Sequence, residues 1–135
     1  MNEADLSLFL DTFERCVEND RFTRVFYDVF LASSDEVRAL FETTDFATQR
    51  RALKASLYTM VAASARRQAD LSSLSELADR HRALQVKPQY YELWMESLVE
   101  AARQCTEGFD AEAARVWREA FRAGISYMQG GEFAD

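Results

Sequence analysis

His81 is the only histidine among 135 residues, and it sits in the run Leu77-Ala78-Asp79-Arg80-His81-Arg82-Ala83-Leu84-Gln85-Val86-Lys87-Pro88. Neutral imidazole is a good ligand for a transition metal. At helical spacing His81 shares a face with Leu74, Leu77, Ala78 and Leu84, so the ring lies on an apolar wall. Such an imidazole is either a core residue bonded to a backbone carbonyl or the protein's single ligand to a metal, the arrangement a haem iron needs on one side. Spacing alone leaves both open.

Other metal chemistries find no residues here. A di-iron carboxylate site uses Glu-x-x-His, and position 78 is Ala78. The several His, Cys or carboxylate ligands of a structural zinc are missing. Cys16 and Cys105 are far apart and form no CxxC, which suits reduced thiols in packed helices. No CxxCH is present for a covalent c-type haem, and no second histidine could close a six-coordinate iron. There is no GxGxxG fingerprint, so chemistry that needs repeated reduction of a metal would draw its electrons from a separate reductase.

The elements that must position His81 are helical. Gly occurs four times and Pro once, leaving little punctuation for hairpins, whereas Ala, Leu, Arg and Glu are abundant. The expectation is an all-α fold of about seven helices in a single domain spanning 1–135. A net charge of −7 and a pI near 4.8 argue against nucleic-acid binding, and the isolated pairs Arg50-Arg51 and Arg66-Arg67 do not reverse that. The start Met1-Asn2-Glu3-Ala4-Asp5 lacks the features of a signal peptide, and no apolar run approaches the ~20 residues that span a bilayer. No membrane partner and a cytoplasmic location are expected.

A first helix is predicted over about 4–17, with Leu6, Phe9, Leu10, Phe13 and Val17 on one inner stripe. Asn19-Asp20 should break it and cap a second, buried helix over 21–32, rich in Phe22, Val25, Phe26, Tyr27 and Phe30. Ser34 opens a short third helix through Leu40. After the polar corner Glu42-Thr43-Thr44-Asp45, a long helix to about Arg67 carries Phe46, Gln49, Leu53, Leu57, Met60 and Val61 inward. Ser73-Leu74-Ser75-Glu76 reads as a capping box for the His81 helix. Pro88 suits the first turn of the next helix, with Tyr91, Trp94, Met95, Leu98 and Ala102. Asp110 caps the last, and Gly130-Gly131 ends it.

Order and spacing of these segments resemble a family. Phe26-Tyr27-Asp28-Val29-Phe30-Leu31-Ala32 and Glu36-Val37-Arg38-Ala39-Leu40-Phe41 look like the early helices of bacterial globins. Leu77 to Pro88, with His-x-x-x-x-Val, looks like the globin helix that bears the iron-binding histidine. Tyr91 and Trp117 also fall where single-domain bacterial haemoglobins and flavohaemoglobins have them, and the resemblance runs from about Phe9 to Met128. It implies a globin fold enclosing haem b, with His81 as proximal ligand to the iron. It places Phe41 against the porphyrin face, Gln49 at the distal position, Leu53 as the apolar wall over the iron and Tyr27 as the phenol aimed at bound ligand. Leu77 and Val86 would flank the haem on the proximal side. Tyr91 and Glu132 fall where relatives support the proximal imidazole, although Gly130-Gly131 should end the helix before Glu132.

The resemblance implies a haem-binding globin that reversibly binds O2, or NO or CO, for transport, storage or sensing. A competing reading is an NO dioxygenase served by a separate reductase. A third is a haem-free interaction module, in which His81, Tyr27 and Gln49 are ordinary core or boundary residues.

Overall fold

Short polar side chains and one proline start the helices. In the computed structural model, which describes residues 1–64, 76–81 and 86–129, Asn2 Oδ1 accepts from Asp5 N at 2.8 Å and opens α1 (Glu3–Glu18). Ser34 Oγ accepts from Val37 N at 3.3 Å at the start of α3 (Asp35–Leu40). Asp45 precedes α4 (Phe46–Ser64), accepting from Ala47 N at 3.1 Å and Thr48 Oγ1 at 3.0 Å. The helical residues 76–81, here α5, carry His81. Pro88 occupies the first turn of α6 (Pro88–Cys105). Asp110 Oδ1 accepts from Ala113 N at 2.9 Å and caps α7 (Ala111–Met128). Every regular element among the described residues is a helix, and none of these is long and apolar enough to cross a membrane.

Two expectations are corrected. Asn19-Asp20 does separate α1 from α2 (Phe22–Ser33), but Asp20 does not cap α2, whose N-cap Arg21 makes no side-chain cap bond. Asn19 is engaged instead: its Nδ2 donates to the Cys105 carbonyl at the end of α6 at 3.1 Å, and its Oδ1 accepts from Arg21 N at 2.9 Å. The inner stripe of α1 is also rotated. Phe9, Thr12, Phe13, Cys16 and Val17 are buried, while Leu6 and Leu10 stay 47% and 44% exposed. Thr12 draws that face inward because its hydroxyl accepts from Trp117 Nε1 at 2.7 Å, a buried donor that needs a partner.

Expectations on Arg66, Arg67, Ser73, Leu74, Ser75, Leu84, Gly130, Gly131 and Glu132 lie outside the described residues.

Trp117 is the hub of the lower core. Phe9, Phe13, Phe22, Phe109 and Phe121 surround its ring, with centroids 5.5 to 6.2 Å away. Phe109 reaches this cluster through the turn at Gly108, whose φ of 79° an L side chain rarely adopts. α1 packs on α7, α4 packs on α7, and α2 runs along α6. On the surface, Arg118 bonds Glu96 at 2.8 and 2.9 Å and Arg122 bonds Glu92, tying α7 to α6. Above the Trp117 cluster, α2, α3, α4, α5 and the ends of α6 and α7 stand apart around a cavity.

Candidate functional site

The helical turn before His81 decides which ring nitrogen is free. His81 Nδ1 lies 2.8 Å from the Leu77 carbonyl one turn back in α5. A carbonyl only accepts, so Nδ1 carries the proton and the neutral ring keeps its lone pair on Nε2. Nε2 has no partner among the described residues. The two fates read from the sequence are therefore compatible: the carbonyl bond occupies one nitrogen and orients the ring for the other. Val86 N donates to the His81 carbonyl at 3.3 Å, and the Tyr91 ring sits 6.3 Å from the imidazole, centroid to centroid, at 38°.

A second polar pair comes from α2 and α4. Gln49 Nε2 donates to Tyr27 Oη at 3.0 Å. Tyr27 is buried, which pushes its phenol up to about 12, and the Gln49 bond offsets only part of that rise. The phenol stays neutral at ordinary pH, and its own proton is not used in the bond with Gln49.

Phe41 is the C-cap of α3 and stands at the polar corner. Its ring meets Tyr27, Phe30 and Phe46 at 5.8, 6.0 and 6.1 Å, yet it remains half-buried and lines the cavity. Leu53 is buried one turn along α4 from Gln49.

The cavity encloses about 450 Å³, within the ~300–1,000 Å³ of small-molecule and cofactor sites. His81, Phe41, Tyr27, Gln49, Leu53, Leu77, Val86 and Tyr91 all line it. Its walls are mainly hydrocarbon and aromatic, with few polar groups. Trp94, Met60, Ile125 and Met128 line it too, although periodicity marks them only as core. Tyr90 is a further wall that sequence reasoning missed; its neighbour Tyr91 carried the recognisable spacing, and nothing in the chain pattern separates Tyr90 from a surface residue. Glu132 lies outside the described residues, so Tyr91 is the part of the expected proximal pair that the structure places beside His81.

This donor set suits a planar metallated macrocycle. Among the described residues no group of three His, Cys, Asp or Glu gathers that could hold a metal ion, so a metal bound at His81 would bring its remaining ligands with it. The aromatic side chain of Phe41 and the other apolar walls suit the body of such a group.

Comparison with known proteins identifies the family. The family model for globins matches residues 21–128. The crystal structure of protein PA3967 from Pseudomonas aeruginosa PAO1, described as structurally highly homologous to a human haemoglobin, superposes with a TM-score of 0.86. The two chains are 31% identical, and the match covers 93% of this chain and 96% of that one. This chain belongs to the globin family.

Proposed function

We propose that this single globin domain holds haem b in the cavity, with His81 Nε2 as the protein's ligand to the iron, and reversibly binds O2 or another diatomic gas for transport, storage or sensing. The observation that carries the reading is the bond from His81 Nδ1 to Leu77 O, which leaves the ring's other nitrogen without a partner among the described residues on the wall of an apolar cavity. Haem, when bound, would supply an iron atom able to take up a diatomic gas. Phe41, Leu53, Leu77 and Val86 exclude water and hold the macrocycle by apolar contact. Tyr27 is the hydrogen-bond donor for a polar gas ligand, and Gln49 fixes the phenol in place.

NO dioxygenation with a separate reductase is a second reading. It draws support from Tyr91 beside the imidazole, since groups behind a proximal histidine tune the electron density it gives a metal. Nitrate formed from NO by the reduced protein with a generic reductase would distinguish it from simple gas binding.

Absorption spectroscopy of the wild type and His81→Ala, with and without added haem and CO, tests the cofactor reading. The wild type should show a Soret band and a five-coordinate ferrous spectrum that CO converts, and His81→Ala should lose the normal ferrous form. A variant with an unaltered ferrous spectrum would refute the ligand assignment. A wild type without a Soret band after reconstitution would leave the haem-free interaction module.

A further inference from the structure

One polar cluster on the cavity's edge is unrelated to His81 or Tyr27. Tyr90 is only 8% exposed, and its ring lines the cavity, yet its hydroxyl emerges to donate to Glu36 Oε2 at 2.5 Å. Lys87 Nζ lies 3.5 Å from the same carboxylate oxygen and 5.8 Å from the centre of the Tyr90 ring. Glu36 belongs to α3, while Lys87 and Tyr90 form the cap and first turn of α6. Among the described residues, this carboxylate makes every hydrogen bond and ion pair that joins α3 to the start of α6.

Both ends of that link are cavity walls. Leu40, one turn after Glu36, lines the cavity and is 61% exposed, and Phe41 follows it. Leu40, Phe41 and Tyr90 all line this cavity, so a large planar ligand that leaves between α3 and the start of α6 must part them. On the reading that haem is the cavity's ligand, we propose that the Glu36–Tyr90 hydrogen bond is a clasp that retains it. The two residues are positioning residues: neither needs to touch the iron. The ion pair with Lys87 is exposed and adds little by itself, so the hydroxyl–carboxylate bond carries the effect.

Haem transfer from the loaded full-length protein to an excess of a haem-free acceptor protein reads the clasp directly. Tyr90→Phe keeps the ring and removes the bond, and Glu36→Ala removes the acceptor. Each should speed haem loss about three- to tenfold, the range of a single partly solvated hydrogen bond. The double variant should be no faster than the faster single one, because both lose the same interaction. Glu36→Gln, which still accepts from the phenol, should stay within about twofold of wild type. Unchanged rates in the single variants, or additive effects in the double, would overturn the proposal. Amide hydrogen exchange over residues 36–41 in the full chain without haem supplies a readout independent of the cofactor. Faster exchange in Tyr90→Phe supports the clasp, and wild-type exchange there counts against it. A wild type that takes up no haem would instead sink the cofactor reading and the retention role together.

Discussion

Gln49 donates to Tyr27 Oη at 3.0 Å across the α2–α4 seam, so these two cavity-lining side chains act in series. The family resemblance places Gln49 at the distal position and aims Tyr27 at bound ligand, as two separate groups. In the structure Gln49 uses one amide proton on the phenol, and Tyr27 presents its own proton. Accepting a hydrogen bond in a low-dielectric site makes a hydroxyl a stronger donor, so Gln49 strengthens Tyr27 as well as holding it.

Tyr27→Phe should speed O2 dissociation about 5- to 30-fold, equivalent to a bond of ~1–2 kcal/mol in a dry pocket, and should hasten autoxidation. Gln49→Leu should give a smaller rise because the phenol remains. Stopped-flow release of O2 measures both. Equal effects from the two variants would contradict the series arrangement.

Two buried acids make the fold sensitive to alkali. Burial pushes the Cys16 thiol up to about 11 and the Tyr27 phenol up to about 12, from ordinary values of 9.0 and 10.0. Between those limits the unfolded chain loses protons that the native chain keeps. Their contribution to stability is therefore intact below pH 9 and falls as pH rises from 9 to 12. Each group contributes a slope approaching 1.4 kcal/mol per pH unit while it titrates, about the free energy of one pKa unit. Urea unfolding at a series of pH values should show this decline, and Cys16→Ala and Tyr27→Phe should each flatten part of it. Parallel pH profiles for wild type and both variants would show that these groups do not cause it.

The sequence was legible where one residue type has one physical use. His81 was the sole imidazole, and its spacing to Leu77 and Val86 marked a helix end and an apolar wall. Tyr27 and Gln49 converge on the same cavity from the inner faces of α2 and α4, and Phe41 reaches it from the end of α3. Legibility failed where the outcome depends on a distant partner. The register of α1 turns on Thr12 finding Trp117, a residue 105 positions away. The Glu36–Tyr90 link joins residues 54 positions apart whose types are unremarkable on exposed helical turns. Periodicity ranks apolar faces; it does not pair individual polar groups across them.

Thr12→Val should leave Trp117 Nε1 buried without an acceptor, because Trp117 and Thr12 are 0% and 1% exposed and their 2.7 Å bond is the indole's partner. The expected loss is about 1–3 kcal/mol, the cost of an unsatisfied buried donor. Thr12→Ser retains the hydroxyl and should lose only the smaller contribution of a methyl group. Urea unfolding followed by tryptophan fluorescence compares the three. A valine variant as stable as wild type would show that the indole finds another acceptor.

Gly124 backs Met60, a wall of the cavity. A Cβ at position 124 would come 2.5 Å from Met60 Cε, though Met60 Cγ and Cβ would be at an ordinary 3.5 and 3.6 Å. Only the end of a flexible side chain must move, and α4 need not be displaced. Met60 is a cavity wall, so the displaced methyl has open space on the cavity side. Alanine in the interior of α7 also gains about 0.5–1 kcal/mol of helix propensity over glycine, which offsets part of a crowding cost of about 1–3 kcal/mol. Gly124→Ala should therefore lower the urea midpoint only modestly while weakening haem uptake, read by Soret titration. Shortening the intruding side chain in Gly124→Ala/Met60→Ala should restore uptake even though the double variant is less stable. That opposition between stability and binding is the informative result, because a general loosening of the fold would move both in the same direction.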